Sequence, residues 1–395
     1  MKSRRFALLC GVGLFAFISY NLVRMPVLSL YAQSLGAGPE AIGFIVSAST
    51  LTGVCLKWPA GALSDIYDRR WLLLVGLSAF AIPPFCYQFV SDVEWLIALR
   101  FAHGMATAVF APIALAVVAD LCRDARGAAY GSYTAATQAG AMLGPLLGGW
   151  LVVSAGFPSV FATAGVLGTM AVLLFLLMRL PPQIPHVASG VGPAAVARDM
   201  ARGARTVIGN RRVVVTSVTD GARQVANGAL MAFLPIYVVG IGMDAAQAGV
   251  LFGVQSVTSF LSRPIMGRAS DRIGRRPLIV LGLMVCAASL AAIPFTRVFG
   301  LLMLLSALFG FGEAIVNASA VALVADVSAL KTLGSAMGMQ GTIMDIGHAL
   351  GPILSGLLIG ALGFQPAFSI IAGLVLLAAA AFHVTVVNEP AERPA

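Results

Sequence analysis

The sequence predicts an all-α polytopic membrane protein with twelve transmembrane helices, arranged as two related six-helix bundles. Three observations predict it. The 395 residues are 59% hydrophobic and only 10% charged, with a mean hydropathy of +0.93, whereas a soluble domain carries roughly 25% charged residues. Apolar runs of about 20 residues, enough to cross a hydrocarbon core of roughly 30 Å, recur along the whole chain; a barrel would show short alternating segments instead. Finally, landmarks of the first half return in the second at a fixed offset.

Taken in order, the apolar runs place spans at 6–31, 40–63, 71–90, 93–121, 128–154 and 157–180, then at 213–239, 245–269, 277–296, 298–325, 333–361 and 364–387. Lys2, Arg4 and Arg5 before the first run imitate a signal peptide. The run is too long and lacks a small-residue cleavage site, so it reads as the first span. The expected domains are therefore a bundle over residues 1–180, a linker over 181–212, a second bundle over 213–387 and a tail over 388–395. The linker opens with "PPQIPHVASGVGP", a turn-rich composition. In the stretch after it, Val196, Met200, Gly203 and Val207 share one helical face and Arg198, Arg202 and Arg205 the other. That pattern predicts a short helix lying on the bilayer, its arginines near anionic lipid.

Lys and Arg cluster on one side of this topology: Lys2/Arg4/Arg5, Arg69/Arg70, Arg123/Arg126, 198–212, 268–276 and Lys331, with Arg297 the exception. By the positive-inside bias both termini are cytoplasmic, and a bacterial inner membrane is the expected location. The net charge of +9 is this loop bias and not a nucleic-acid footprint, because no aromatic residues interleave the bases. The five cysteines show no CxxC spacing and the four histidines are far apart, so no metal or other cofactor is expected. No paired nucleophile and base suggests an enzyme.

The repeat is specific. "GALSDIYDRRWLLLVG" begins at Gly61 and "GRASDRIGRRPLIVLG" at Gly267, an offset of 206. The same offset relates Tyr31 to Tyr237, Gly36 to Gly242, Gly43 to Gly249, Lys57 to Arg263, Gly104 to Gly310 and Asp120 to Asp326; with one residue inserted, "GPLLGG" from Gly144 aligns with "GPILSG" from Gly351. Two six-span halves of parallel topology account for this, a repeat plan used by secondary transporters.

"GRASDRIGRR" resembles the G-x-L-a-D-r-x-G-r-k signature of the major facilitator superfamily, and the resemblance covers essentially the whole chain. It implies a transporter fold with a latch closing the cytoplasmic side, built from Gly61, Asp65, Arg69 and Arg70 in one copy and Gly267, Asp271, Arg272, Arg275 and Arg276 in the other. The glycines are expected to let a neighbouring helix approach closely, and the Asp–Arg clusters to make charge-assisted hydrogen bonds that form in one state and break in another. The first copy departs from the signature: Ile66 occupies the basic slot and Asp68 the glycine slot. Because Asp tolerates a left-handed backbone, the turn is expected to survive. "LIALRFAHGMATA" in the fourth span resembles the family motif with an intramembrane arginine, here Arg100, with His103 where Gln is usual; in related antiporters that arginine is associated with proton coupling. A structural arginine holding backbone carbonyls is the alternative. "GAMLGPLLGG" in the fifth span resembles the signature of the drug:proton antiporter branch, carried by Gly140, Gly144, Pro145, Gly148 and Gly149. Its glycines predict a flat helix-contact face, and Pro145 a bend.

The remaining intramembrane polar groups mark a candidate substrate site: Asn21, Arg24, Arg223, Asn227, Glu313 and Asp345. Charges inside a bilayer are costly and usually line a cavity or pair with one another. Desolvation favours the neutral form of a carboxylate, so Glu313 and Asp345 are candidate proton carriers, with His348 as a relay, and Arg100 and Asp220 complete the proton-coupling set. Asp220 also reads as an intrahelical partner of Arg223, and His348 as a structural histidine. The expected function is proton-coupled export of a small organic molecule by alternating access, by a monomer. The cavity of the first half is expected to hold bases without acids, which favours an anionic or zwitterionic substrate; transport of an organic anion or lipid-like solute in either direction is the alternative. A sensor or scaffold without transport would have no need of two latches.

Overall fold

In a computed structural model of the chain, the described residues are 2–122, 125–178, 208–328 and 333–387. The regular elements among them are all helical: α1 (Lys2–Arg24), α2 (Val27–Ser34), α3 (Pro39–Ile66), α4 (Arg69–Tyr87), α5 (Val93–Leu121), α6 (Arg126–Leu176), α7 (Arg211–Gly240), α8 (Ala245–Ile273), α9 (Arg275–Ala292) with a 3-10 turn at Ile293–Phe295, α10 (Phe299–Asp326), α11 (Leu333–Leu362) and α12 (Phe364–Val387). The amphipathic helix expected after Pro193, Arg123, Lys331 and the 388–395 tail lie outside the described residues.

Twelve spans result. α1 and α2 form one span, interrupted at Pro26, which cannot donate a backbone hydrogen bond. The 51 residues of α6 would reach about 76 Å at 1.5 Å per residue, too long for one crossing. It breaks at Gly156 (φ 76°, ψ 174°) into two spans. Among the described residues ten helices are long and apolar enough to cross a bilayer; the broken α6 is one of them and supplies two spans. α8 is the span whose Arg263, Arg268, Asp271 and Arg272 dilute its apolar character. Large apolar side chains such as Leu147, Trp150 and Leu377 stay exposed, as a lipid-facing surface requires.

The described chain divides into two compact units, the first comprising 2–122, 125–178 and Met231–Gly253, the second 208–230 and the described residues from Val254 onward. Inside the first, Gly104 of α5 seats against α3, where an added Cβ would lie 2.6 Å from the Ser49 carbonyl oxygen, and Gly76 of α4 seats against Phe110 of α5. Inside the second, Gly310 of α10 seats against the Gln255 backbone of α8, and Gly282 of α9 against Gly312 and Val316 of α10. Small residues let the backbones approach this closely. Both of these first-unit contacts map onto one in the second by adding 206: Ser49 to Gln255, Gly76 to Gly282, Gly104 to Gly310, Phe110 to Val316. The duplicated sequence thus builds a duplicated packing scheme.

The positive-φ positions obey the same frame. Among the described residues all five are glycines: Gly36 (82°) pairs with Gly242 (91°) at 206, and, past the one-residue insertion, Gly156 (76°) with Gly363 (82°) at 207. Gly274 (105°) stands alone, because its counterpart is Asp68. The expectation of a left-handed turn at Asp68 is corrected: its φ is −59° and its ψ 116°. A side chain makes the left-handed region costly, and the carboxylate has a better use. Asp68 Oδ1 accepts the Arg70 backbone N–H at 2.8 Å and caps α4.

Candidate functional site

The two charged loops are built alike. In the first unit Arg69 Nη1 donates to Asp120 Oδ2 at 2.5 Å, tying the start of α4 to the end of α5, and Arg69 Nε donates to the Ser64 carbonyl at 3.3 Å. In the second, Arg275 Nε donates to Asp326 Oδ2 at 3.1 Å, tying α9 to α10, while Arg275 Nη1 pairs with Asp271 and donates to Ser270 Oγ at 3.3 Å. Both arginines and both distal aspartates are again 206 apart. Asp120 and Asp326 were missed as latch residues by the sequence reading, although their offset matched that of the arginines; that shared offset was the available signal. The Asp65 side chain lies outside the described residues. Arg70 is half-buried, Arg272 exposed and Arg276 half-buried, and no ion pair joins these three among the described residues. The close helix approach expected at Gly61 and Gly267 is also corrected. Within its own unit, nothing described lies within 4 Å of where a Cβ would sit on either glycine. Close approaches fall instead on other glycines, among them Gly76, Gly104 and their repeats.

The glycines of "GAMLGPLLGG" pack. Gly140 meets the Leu14 carbonyl oxygen of α1 (2.6 Å from an added Cβ), Gly144 meets Asn21 and Leu22, and Gly148 the Leu22 carbonyl (2.5 Å). Gly149 abuts the Ala245 carbonyl of α8, and Gly249 abuts the carbonyl of Pro145, all within the first unit. Pro145 itself produces no break in the backbone dihedrals; the break in α6 comes at Gly156, where the missing side chain permits positive φ. Gly347 and Gly351 of α11 press against Gly221 and Val225 of α7 in the same way.

Deep in the second unit one guanidinium faces two carboxylates. Arg223 and Asp220 are both fully buried, one turn apart on α7; Arg223 Nε donates to Asp220 Oδ1 at 2.8 Å and Nη2 lies 2.8 Å from the same oxygen. Glu313 of α10 lies 3.7 Å from Arg223 Nη1, its side chain 16% exposed. Asp220 Oδ2 is buried without a hydrogen-bond donor among the described residues. A buried ion pair with an unpartnered oxygen is costly to keep unless it serves something. Farther along α7, Asn227 Oδ1 accepts from Gln255 Nε2 at 3.2 Å, and Asn227 Nδ2 donates to Gln224 at 3.4 Å. Gln255, a buried amide on α8, was not singled out in the sequence. Asp345 and His348 are half-buried on α11, whereas the carboxylates at Arg223 are those of Asp220 and Glu313.

The first unit holds a different cluster. Arg100 is fully buried. It donates to Ser49 Oγ, to the Tyr87 hydroxyl at 3.5 Å and to the Ile45 carbonyl at 3.5 Å. His103, also fully buried, places Nδ1 3.0 Å from the Tyr87 hydroxyl, and its Nε2 has no hydrogen-bond partner among the described residues. The Tyr20 ring packs edge-on to His103 at 4.9 Å and lies under two guanidiniums, Arg24 at 5.7 Å and Arg100 at 6.0 Å. Arg24, half-buried, is the last residue of α1. Asn21 donates to the Phe17 carbonyl at 2.9 Å and faces α6. Tyr20 and Tyr87 were also missed, since aromatic residues inside apolar spans read as core.

The Major Facilitator Superfamily model matches residues 8–240 and 221–395. The chain belongs to the major facilitator superfamily. This member is 28% identical over 376 residues to the multidrug resistance protein MdtG of Salmonella typhimurium, covering 91% of this chain and 89% of that one. It is 24% identical over 377 residues to an MFS-type transporter of Methanocaldococcus jannaschii, covering 94% of each. Among solved structures it resembles the nucleoside transporter NupG (TM-score 0.81, 16% identity, 98% of this chain and 100% of that one). It also resembles a bacterial homolog of the human lysosomal transporter Spinster (TM-score 0.79, 15% identity, 97% and 96%). Membership of that family makes the chain a multi-pass membrane transporter and not an enzyme.

Proposed function

We propose that this superfamily member is a proton-coupled exporter of a small organic molecule, working as a monomer by alternating access in a bacterial inner membrane with both termini cytoplasmic. The observation that carries the coupling is the Asp220–Arg223–Glu313 group. One guanidinium balances one carboxylate, so with both acids ionised the group holds a net negative charge away from water, and one proton removes it. Asp220 is the tightly held partner. Glu313, farther from Arg223 and partly exposed, is the carboxylate that exchanges the proton. Asp345 and His348 extend the candidate proton path, and Arg100 holds the frame of the opposite repeat. Arg69–Asp120 and Arg275–Asp326 serve as the latches of the cytoplasmic side. The 28% identity to MdtG supports export. The latches, present in both repeats, disfavour a static sensor or scaffold.

The test uses everted membrane vesicles energised by a proton gradient and a panel of fluorescent cationic, neutral and anionic compounds. Wild-type vesicles should accumulate at least one compound, and a protonophore should abolish that accumulation. Accumulation unaffected by the protonophore rejects proton coupling; transport only in right-side-out vesicles rejects export.

A further inference from the structure

We infer that the first unit carries a subsite for an anionic group of the transported molecule, with Arg24 as its contact residue and the Tyr20–Arg100–His103 cluster as its support. This rests on the reading of the chain as a transporter and names the substrate class. The argument begins with charge. Between residues 1 and 180 the acids are Glu40, Asp65, Asp68, Asp92, Glu94, Asp120 and Asp124. Those in described helices fall in terminal turns or cap them, as with Glu40 and Glu94 in the first turns of α3 and α5 and Asp120 in the last turns of α5. Asp244, the one acid of the 231–253 segment, is exposed and caps the start of α8. The interior of this unit therefore holds Arg24 and Arg100, with Lys57 half-buried on α3, and no carboxylate among the described side chains.

Among the described residues Arg100 meets only neutral oxygens, those of Ser49, Tyr87, Ile45 and Tyr20. Its hydrogen bonds are met, but its charge is not cancelled within salt-bridge distance by any described residue. Such a charge, out of water, projects its potential farther than an exposed one. The Tyr20 ring couples that potential to Arg24, since both guanidiniums lie within 6.0 Å of its centre.

The hydrogen-bond chain adds a second, independent sign. Arginine can only donate, so Tyr87 accepts from Arg100. The nearby acceptor for the Tyr87 hydroxyl proton is His103 Nδ1. A neutral imidazole accepting at Nδ1 carries its proton on Nε2, and Nε2 is the buried atom left without a partner. Here is an unused donor next to an uncancelled cation, a pairing that suits an incoming carboxylate, sulfonate or phosphonate. Arg24 is itself engaged in this conformation, so the anion binds by exchange. That is a property suited to a site that must release its cargo.

The second unit has no matching arrangement. At the offset of 206, Tyr20 becomes Ala226, Arg24 becomes Leu230, Arg100 becomes Ser306 and His103 becomes Phe309. The anion subsite thus belongs to one repeat and the carboxylate group to the other.

The test is equilibrium binding by the purified full chain in detergent, with no gradient and no transport. The probes are 2-naphthoate, 2-naphthalenesulfonate, 2-naphthylmethylammonium and 2-naphthalenemethanol, read by thermal stabilisation. The two anions should stabilise the protein and the cation and alcohol should not. R24Q should weaken anion stabilisation at least tenfold in midpoint concentration, and R24K should recover part of it. H103Q, which keeps a donor, should bind better than H103L. Equal stabilisation by the alcohol or the cation, no stabilisation by either anion, or full anion binding by a folded R24Q protein overturns the subsite. Failure here with proton-driven flux intact removes only the subsite; anion binding without proton-driven flux removes only the coupling reading.

Discussion

Replacing Glu313 and Asp220 separately distinguishes a coupling carboxylate from a holding one. At an effective dielectric constant of about 20, a charge pair 2.8 Å apart is worth about 6 kcal/mol and one 3.7 Å apart about 4.5 kcal/mol. Arg223 therefore grips Asp220 more firmly than Glu313 by about 1.5 kcal/mol, before the second nitrogen at 2.8 Å is considered. D220N removes the close partner of a fully buried guanidinium and should cost about 3–5 kcal/mol, the usual penalty for leaving one member of a buried pair. E313Q keeps the shape and the Asp220–Arg223 pair, so it should cost about 1 kcal/mol or less. The assay combines thermal unfolding in detergent with two flux measurements in proteoliposomes, accumulation driven by a pH gradient and solute counterflow without one. E313Q should melt near the wild type, retain counterflow, and lose gradient-driven accumulation more than tenfold. D220N should melt far lower. Wild-type accumulation by E313Q would refute the assignment. An E313Q protein as unstable as D220N would refute the division of labour.

The latches give a second outcome. R275A should change stability by about 1 kcal/mol or less, because exposed ion pairs contribute little, yet slow transport severalfold; the charge swap R275D/D326R should restore part of the rate, and a swap no better than R275A would count against the latch. At the first loop, D68A should lower stability by about 1 kcal/mol and D68G by a few tenths, the usual scale for losing a helix N-cap, measured by thermal unfolding. G104A and G310A should each destabilise by about 1–3 kcal/mol through overpacking against the Ser49 and Gln255 backbones. G61A and G267A should be near neutral in the same melts, and equal losses at all four positions would show that these contacts do not hold the bundles together. Finally, D345N should abolish gradient-driven flux; full coupling in that variant removes Asp345 from the proton path.

Much of this was legible because charge is rare in the chain. A single Asp–Arg knot in an oily sequence is conspicuous, and its recurrence at an offset of 206 exposed the repeat; charges inside apolar runs likewise marked Asp220, Arg223 and Glu313, though not the pairing of Glu313 with Arg223. What escaped notice was either common or local. Tyr20 and Tyr87 matter through which polar atoms they touch, and nothing in an apolar run marks that. Gln255 is one amide in a helix with several polar residues. Asp120 and Asp326 were read as landmarks of the repeat because the arginines' own neighbours, Asp65 and Asp271, looked like sufficient partners; only the packing of α4 on α5, and of α9 on α10, brings the distal aspartates within reach. Asp68 misled for a chemical reason. Its tolerance of the left-handed region is genuine, but its capacity to cap a helix is worth more.

The constant offset of the glycine contacts has a practical consequence for protein engineering. Positions where the two repeats agree form the scaffold, and positions where they diverge carry the individuality of each half: Leu14 against Asp220, Phe17 against Arg223, Tyr20 against Ala226, Arg24 against Leu230, Arg100 against Ser306, Thr107 against Glu313. A library diversified only at the divergent positions would search for new cargo without eroding the frame, and each half would serve as the other's control.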